Sequence, residues 1–560
     1  MTLSAYAISE KSISTLPDGV SSATPNPLNN LLKGSNVQFN YLIELMPFDE
    51  NLQSQVNGTP VSTNAISVKP FFTRRGGVNT LYLSNRGFYT KPSDTPANTS
   101  YLPLVNNPFQ FDVSILNGTE FRGGLPAFGA VRIKSGDASL DGITDMFWSG
   151  RPLTIYAGGL DFERAEYEAI FKGIVRDIEF DEDEITINIS DKSSILETSF
   201  DQNLYTGAGG VEGGDDIKGD VKPLCYGQVK NVPLKLVDAG TNLYQVHDGS
   251  IEEVTSVYDR GVSLNNQGDV ADITATTVSG GNFKTQLSGG YIRLGGNPDG
   301  RITADVKGCD CDGYIDKTGA IISRLVSTKM GDESFTTNDI DQGALNALDA
   351  AIPDAVGIFI DGKAQLNRVL DDLTNSLNVY WIFTREGMLS AGVIDRPSNP
   401  VLVITENEII DDSFEAIAVV PPAWRITAGY AKNWQVQSPD NIAASATDAQ
   451  KSFVIEQYRK LIIEDRNTRT KTKNGVEIVF NSLLANEADA QDYLDRLVRV
   501  YQEQRKVYRV KVIDLLFRVF IGDVITLQYP RYGLESGRDF IITSIGEDAE
   551  DGVTELELWG

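Results

Sequence analysis

The chain has few of the residues from which most nucleophilic and metal sites are built: its 560 residues include three cysteines and one histidine. So few cysteines cannot form a disulfide framework, a usage typical of proteins that fold in a reducing compartment. No apolar run reaches the roughly 18–20 residues needed to cross a bilayer. The first residues also lack the charged region and apolar core of a signal peptide. The sequence therefore predicts a protein made in the cytoplasm, with no stable membrane insertion.

Acidic residues dominate the charge, and the formal net charge is −28. A surface of that sign repels phosphates, which opposes tight nucleic-acid binding driven by counterion release. A negative channel wall would instead let a polyanion pass without sticking, and acidity also serves solubility. Hydrophobic residues make up 41% of the chain, the usual share for a globular protein, and the length predicts three or four domains.

Two distant stretches repeat one β pattern. The first has strands over residues 151–156 and 167–175, an acidic turn at 181–184 and an alternating strand at 185–189. The second has strands over 522–527 and 540–545, an acidic turn at 547–552 and an alternating strand at 554–558. The order is the same and the spacing differs by only a few residues. This echo predicts two similar β-barrels in one chain.

The predicted fold class is mainly β with some α+β, multidomain, with two similar β-barrels and inserted β-rich domains. Apolar positions at helical spacing predict a helix from Leu366 to Leu377, followed by a strand over 379–383, and a second helix after Asn486. The predicted organisation is an N-terminal arm (1–36), a first barrel (37–200), a Gly/Asp-rich linker (201–222), an inserted β-rich domain (223–350), an α+β domain (351–480), and a helix with the second barrel (481–560).

The only concentration of soft metal ligands comprises four residues: Cys225, His247, Cys309 and Cys311. Four such ligands suit tetrahedral zinc, but structural zinc pairs favour two to four intervening residues, and Cys309 and Cys311 are separated by one. Free thiols are the competing interpretation. Any Ser-His-Asp or Cys-His mechanism would have to use His247, which lies in a predicted turn, where a structural role is more common.

Other candidate motifs are incomplete. The glycines between residues 207 and 214 have Glu212 where a dinucleotide loop needs glycine, and no lysine completes a phosphate-binding loop. Residues 339–343 lack the glycine register and terminal glutamate of a calcium loop. With 77 acidic residues, paired carboxylates carry no information. We therefore predict no catalytic, cofactor-binding or metal residue, no cofactor and no enzymatic activity.

Several segments resemble central hub proteins in the tails of long-tailed bacteriophages. At the C-terminus these are residues 522–527, 529–534 and 554–560, supported by residues 366–389 and 424–430. The regions 82–193, 226–233 and 244–249 resemble tail-tip proteins of the same phages. The resemblance covers most of the chain beyond the arm.

The resemblance implies a homotrimer in which each subunit contributes a pair of tube-like barrels plus inserted domains. Six barrels in a ring would match a sixfold tail tube to threefold tip proteins and line a channel for the genome. The implied partners are distal tail or tube proteins, tip and fibre proteins and a tape measure protein. The implied location is the virion, at the tail tip or baseplate.

Two alternative functions remain open at this point. A receptor-binding or carbohydrate-binding tail protein would use the block 224–306 as its binding module. A tail-associated peptidoglycan hydrolase would use a pair of carboxylates.

Overall fold

The computed structural model describes residues 38–49, 55–56, 59–60, 77–78, 80–118, 120–136, 140–197, 199–331, 334–473, 475–513 and 515–560. The arm expected over residues 1–36 lies outside these ranges. The described part is mainly β with a few helices and several sheets, which confirms the predicted fold class. Among the described residues, every helix is too short or too polar to cross a bilayer.

The first barrel is built from β-strands within residues 39–190. Its strands are β1 (Phe39–Leu45), β2 (Phe48–Asp49), β3 (Gln55–Val56), β4 (Thr59–Pro60), β5 (Gly77–Val78), β6 (Leu81–Ser84), β7 (Phe88–Tyr89), β8 (Ser100–Tyr101), β9 (Val105–Ser114), β10 (Leu116–Asn117), β11 (Glu120–Phe121), β12 (Phe128–Lys134), β13 (Pro152–Gly159), β14 (Glu168–Phe180) and β15 (Glu184–Ser190). Its main sheet has the order β9-β12-β15-β14-β13-β1-β6. The sheet closes because the Ser84 N–H donates to the Leu102 carbonyl, just before β9.

The inserted domain follows, with β16 (Leu224–Pro233), β17 (Lys235–Asp238), β18 (Leu243–Gln245), β19 (Ile251–Asp259), β20 (Val262–Ser263), β21 (Asn265–Asp269), β22 (Asn282–Gln286), β23 (Tyr291–Leu294) and β24 (Ile302–Cys309). One sheet has the order β20-β19-β24-β16-β25, where β25 is Gly357–Ile360, and the other has the order β17-β18-β23-β22-β21. Side chains from both sheets, including Val229, Val254 and Phe283, form one buried cluster.

A helical layer follows the inserted domain. It contains α1 (Thr318–Thr328), α2 (Gln342–Ala351), α3 (Leu366–Asn375) and the hairpin of β26 (Val379–Phe383) and β27 (Leu389–Val393). The predicted inward positions of α3, namely Leu366, Val369, Leu370 and Leu373, are all buried, and every residue of β26 is buried as well. The 3.6-residue period therefore located this helix correctly.

The last part of the chain contains β28 (Leu402–Ile404), β29 (Glu415–Val420), β30 (Ala423–Tyr430), α4 (Asp448–Ile455), β31 (Arg459–Glu464), α5 (Arg466–Lys471), β32 (Val476–Asn481), α6 (Glu487–Tyr501), β33 (Arg505–Ile513), β34 (Val524–Leu527), β35 (Arg538–Asp548) and β36 (Val553–Trp559). Strands β31-β30-β32 form a separate sheet, and β29-β33-β36-β35-β34-β28 form the second barrel. The chain between β28 and β29 closes this barrel, since the Ile410 N–H donates to the Lys511 carbonyl.

Four strands of each barrel share order, direction and register. Strands β12-β15-β14-β13 are antiparallel neighbours, and β33-β36-β35-β34 repeat the arrangement. The register of β14 shifts between Val175 and Asp177, and that of β35 shifts between Ile542 and Ser544, each after the second residue pair with the following strand. Both barrels thus carry a one-residue bulge at the same position. The echo seen in the sequence corresponds to one topology formed twice.

A glycine in a left-handed conformation precedes each repeated hairpin. Gly150 has φ 73° and Gly522 has φ 89°. The Gly150 N–H donates to the Val175 carbonyl at 2.8 Å, and the Gly522 N–H donates to the Ile542 carbonyl at 2.9 Å. Val175 and Ile542 are equivalent because each lies immediately before the bulge. The two glycines are therefore equivalent as well, and positive φ explains the residue type.

One predicted turn is shorter than expected. The acidic turn predicted over residues 547–552 begins later, because β35 continues to Asp548 and β36 begins at Val553. Glu547 lies within β35 and is 3% exposed, so placing it in a turn was wrong. The preceding alternation explains its position, since Ile545 and Glu547 are two residues apart and share a face of the strand.

The segment expected to be a linker folds back on the inserted domain. Tyr205 and Ile217 are buried in a cluster with Val237. Glu212, which sits among the glycines, pairs with the Lys222 ammonium at 2.6 Å.

Candidate assembly interface

The two barrels are joined edge to edge through β9 and β35. The first part of β35 pairs with β34, and its last part pairs with β9, so that Ser544 lies opposite Ser114 and Asp548 lies opposite Gln110. We define this pairing of residues 544–548 with residues 110–114 as the seam. The Gln110 side-chain amide reinforces it by donating to Asp548 Oδ2 at 2.7 Å. A single 13-stranded sheet thus extends through both barrels.

Each seam strand has a counterpart in the other barrel. Through the shared bulge, residues 177–180 at the end of β14 correspond to residues 544–547 of β35. Strand β29 corresponds to β9, because β29 lies beside β33 as β9 lies beside β12. Within the described chain, β29 ends the large sheet, and β14 beyond its bulge pairs only with β15. Both counterparts of the seam strands therefore have a free outer edge.

The two free edges expose apolar side chains. Phe180 at the end of β14 is 46% exposed, and Val419 in β29 is 59% exposed, with Ile417 exposed beside it. At the seam, the residue equivalent to Phe180 is Glu547, which β9 and its barrel cover. An exposed edge strand with apolar side chains is a template for pairing with another chain.

One face of the joined sheet is mostly polar around the seam, with Phe128 and Ile513 as exposed apolar exceptions. Its side chains alternate with those in the barrel cores; they include Gln110, Asp112, Arg132, Lys134, Asp177, Glu179, Thr186, Asn188, Arg509, Lys511, Asp548, Glu555 and Glu557. Arg509 lies 2.6 Å from Glu557 and 3.3 Å from Glu555. Burial, together with the negative charges of Glu555 and Asp548, raises the pKa of the Asp112 carboxyl. The face carries both signs with an acidic excess.

A buried ion pair fixes the β26–β27 hairpin behind the seam. Arg385, in the hairpin turn, donates from Nη1 to Glu547 Oε1 at 2.5 Å and from Nη2 to the Val519 carbonyl at 3.2 Å. The Phe517 N–H donates to the same carboxylate oxygen at 2.8 Å. The Arg385 carbonyl accepts from the Lys172 N–H of the first barrel at 2.7 Å. This pair therefore connects the second barrel, the hairpin and the first barrel.

A cavity of about 570 Å³ lies beside this ion pair. Its lining is mostly apolar and includes Phe111, Ile382 and Ile545. Glu547 Oε2 is buried there without a hydrogen-bond partner among the described residues. The arrangement is that of a junction between three packed units; its lining also includes the Ser390 hydroxyl, which donates to Asp341 Oδ2 at 3.2 Å.

The four residues considered as metal ligands come only partly together. The ligand atoms of His247, Cys309 and Cys311 lie within 4.8 Å of one another. Cys225 contributes its backbone N–H, which donates to His247 Nδ1 at 2.9 Å. The thiol of Cys225 is buried in the core of the inserted domain, and this burial raises its pKa. Three of the four residues converge at the end of β24, where Cys309 and Cys311 are joined by a disulfide.

The residues of the calcium-like motif have structural partners. Asp339 pairs with the Lys192 ammonium at 2.6 Å. Asp341 caps α2 by accepting from the Ala344 N–H at 3.0 Å. Their carboxylates therefore serve an ion pair and a helix N-terminus.

Sequence reasoning did not find the seam or the Arg385–Glu547 pair. The seam joins residues more than 400 positions apart, as in the Gln110–Asp548 hydrogen bond, and backbone pairing leaves no side-chain motif. For Glu547 a usable signal existed in the alternation of β35. Extending the inward positions Phe540, Ile542 and Ile545 across the bulge would have placed the carboxylate inside.

No protein-family profile and no curated protein matches the chain. Several solved structures are similar to it at low identity. A tail protein from Neisseria meningitidis MC58 has a TM-score of 0.36 and 10% identity, covering 82% of this chain and 93% of that one. Prophage tail protein gp18 from Listeria monocytogenes EGD-e has a TM-score of 0.34 and 8% identity, covering 83% and 93%. A chain in the virion of a native gene transfer agent particle has a TM-score of 0.37 and 13% identity, covering 61% and 84%.

Proposed function

We propose that the protein is a structural hub of a phage tail tip or baseplate, in which three copies form a ring of six barrels. The observation that carries the proposal is the seam. One chain already contains a barrel-to-barrel junction, and the two equivalent edges, residues 177–180 and β29, are free within the described chain. Joining these edges between copies would repeat the same junction around a ring.

The register of the seam supplies the register of the proposed contact. In the seam, Ile545 lies opposite Val113 and Gly546 lies opposite Asp112. The equivalent residues place Ile178 of one copy opposite Val419 of the next, and Glu179 opposite Ala418. The first of these is an apolar pair, as in the seam. Because two different edges meet, the contact is heterologous and builds a ring when its rotation closes.

The sequence resemblance to phage hub proteins supports three copies in the ring. Six barrels would then present sixfold contacts to a tail tube, while the inserted domains would keep threefold symmetry toward tip and fibre proteins. The polar face of the joined sheet is our candidate for the channel wall. Its acidic excess would repel DNA phosphates and so favour passage of the genome over binding.

In this proposal the protein acts through assembly, without chemistry or a cofactor of its own. Its partners are further copies of the chain, tube or distal tail proteins above the ring, tip and fibre proteins below it, and a tape measure protein. Its location is the virion, after assembly in the host cytoplasm.

A cysteine pair tests the contact and its register together. We expect the variant Ile178→Cys/Val419→Cys to form disulfides between copies, because Cα atoms of directly opposite residues lie about 4.5–5.5 Å apart, within the range for a disulfide. A closed ring of three would give covalent dimers and trimers on a non-reducing gel and nothing larger.

The matched control is Ile178→Cys/Val479→Cys. Val479 is 60% exposed and lies in β32, in the separate sheet, so its cysteine should remain uncrosslinked. A ladder continuing past three chains would contradict the closed ring. Monomeric sedimentation of the unmodified protein, with no crosslinked species from the first variant, would contradict the assembly itself.

A further inference from the structure

The only histidine and two of the three cysteines meet at the end of β24, outside the proposed assembly surfaces. Cys309 and Cys311 are joined by a disulfide, with a Cα–Cα distance of 5.5 Å. His247 Nε2 lies 3.6 Å from the Cys311 sulfur. His247 itself is buried, and the Tyr226 ring packs edge-on against its imidazole, with centroids 5.7 Å apart. One sulfur pair and one imidazole therefore form a compact site.

Hydrogen bonding settles the tautomer of this imidazole. A backbone N–H can only donate, so Nδ1, which receives the Cys225 N–H at 2.9 Å, must be the acceptor. Burial lowers the pKa of His247 to about 3, so the ring is neutral near pH 7. Its single proton is then on Nε2, facing the Cys311 sulfur. This arrangement opposes metal binding through Nε2, which would need the lone pair there, and favours hydrogen-bond donation to sulfur.

Cys309 and Cys311 differ in their exposure to solvent. Cys309 is 1% exposed, whereas Cys311 is exposed in the turn that follows β24. An incoming thiol can therefore reach Cys311, and only Cys311 has the imidazole N–H beside it. A hydrogen-bond donor next to a thiolate stabilises the charged form, which is the nucleophile in exchange reactions.

We propose that Cys309 and Cys311 form a thiol–disulfide exchange site for small soluble thiols and disulfides, with Cys311 as the reacting sulfur. An external thiolate attacks Cys311 Sγ, the new mixed disulfide forms as the Cys309–Cys311 bond breaks, and Cys309 takes the electron pair and a proton. A second external thiol attacks the external sulfur and releases Cys311 as a thiolate. Two external thiols are oxidised to one disulfide, and the protein disulfide is reduced to two thiols.

The inference goes beyond the assembly role and is independent of it. In a reducing cytoplasm the pair would be open, and in an oxidising exterior it would close the turn between β24 and α1. His247 acts as a hydrogen-bond donor that positions and stabilises the Cys311 thiolate. Cys225 remains outside the exchange because its thiol is buried.

Trapping the mixed disulfide tests the assignment of the reacting sulfur. The probe is glutathione disulfide, added to the reduced and desalted full-length Cys309→Ser protein, with acid quenching and peptide mass spectrometry. We expect an adduct that accumulates on Cys311, because no second thiol is present to resolve it, and none on Cys225. The Cys309→Ser/Cys311→Ser protein is the matched control and should give no adduct. Equal labelling of Cys225, or no adduct on Cys311 in the folded protein, would overturn the proposal.

The role of the imidazole has its own test in the Cys309→Ser background. The substitution His247→Asn keeps an acceptor for the Cys225 N–H and removes the donor next to Cys311. We expect the rate of Cys311 alkylation by iodoacetamide to fall about tenfold at pH 7, as for loss of one hydrogen bond to a charged group, and to recover at alkaline pH. With His247 present, Cys311 should also react faster in the native protein than in denaturant. An unchanged rate in both comparisons would remove His247 from the site.

Discussion

The two barrels share one design and differ where their surroundings differ. Both have the same four-strand register and the same bulge. Five residues after Val175 and Ile542, however, the first barrel exposes Phe180, whereas the second buries Glu547 against Arg385. The second barrel has the first barrel on this edge, and the first barrel has no strand there within the described chain. A repeated backbone therefore carries different side chains according to what covers it.

The turn before the repeated hairpin gives a second contrast. Gly150 and Gly522 have the same conformation and hydrogen bond. A methyl group added at Gly150 would meet no atom within 4 Å, whereas one added at Gly522 would lie 2.0 Å from Tyr380 Oη of the β26–β27 hairpin. The first turn faces open space and the second is covered. The β26–β27 hairpin thus covers only the second of these two turns, and this breaks the symmetry of the repeat.

The largest expected loss of stability follows removal of the buried Arg385 cation at the junction of the second barrel. Arg385→Ala leaves Glu547 buried without its partner, so we expect the free energy of unfolding to fall by about 3–5 kcal/mol, measured by urea denaturation. Arg176→Ala, which removes the exposed Arg176–Asp177 pair of the first barrel, should change it by about 0.5 kcal/mol or less.

The double variant Arg385→Met/Glu547→Leu separates a lost partner from lost packing. It should recover most of the stability, because no buried charge remains unpaired. If the double variant is as unstable as Arg385→Ala, the loss comes from packing of the hairpin and not from the carboxylate.

Alanine substitutions at the two equivalent glycines should reduce stability by intermediate amounts that differ between the barrels. Gly150→Ala should lower the free energy of unfolding by about 1–2 kcal/mol, because alanine is strained in the left-handed conformation. Gly522→Ala should cost about 1–3 kcal/mol more, because its methyl group also overpacks Tyr380. Thermal unfolding of both variants measures the difference, and Tyr380→Phe should restore part of it only in the Gly522→Ala background. Equal losses of stability at both glycines would show that the β26–β27 hairpin moves away to make room for the methyl group.

The smallest expected effect is that of single buried or hydrogen-bonded carboxylates on stability, and its sign should differ between the two barrels. Burial raises the pKa of the Asp523 carboxyl, so its ionised form destabilises the fold, and that cost appears as pH rises through the folded pKa. Burial acts to raise the pKa of Asp177 too, but hydrogen bonds from Asn188 and Arg176 outweigh it and lower that pKa. The ionised form of Asp177 therefore stabilises the fold, and this gain is lost as pH falls.

We expect Asp523→Asn to raise the melting temperature at pH 7 and Asp177→Asn to lower it. Both differences should shrink at acid pH, once each carboxylate is protonated in the native as well as the unfolded state. The measurement is the melting temperature as a function of pH for both variants and the unmodified protein. Shifts of the same sign would contradict the assigned environments.

Local patterns predicted those parts of the fold that depend on local physics. Alternation located strand β15 through Ile185, Ile187 and Ile189, which are all buried, and helical spacing located α3. The repeat could be recognised because strands and an acidic turn recur in the same order and at nearly the same spacing. The acidic residues around Glu547 led to the wrong prediction that Glu547 lies in a turn, because a charged residue considered without its neighbours favours a turn.

The grouping of His247 with Cys309 and Cys311 was only half visible in the sequence. The residue types suggested a common site, but the chemistry depended on one backbone hydrogen bond from Cys225 to Nδ1. No spacing rule contains that contact, because β16 brings Cys225 to the imidazole from a different part of the chain. The tautomer, and with it the preference for thiol chemistry over metal binding, came from the fold.

Local patterns were enough to predict two similar barrels, because alternation of apolar and polar residues is a local requirement of half-buried strands. The pairing of β9 with β35, the burial of Glu547 and the edges of residues 177–180 and β29, which are free within the described chain, depend instead on tertiary packing. Strand edges expose the same N–H and C=O groups whatever their side chains. Which edges meet is therefore fixed by how the whole chain packs.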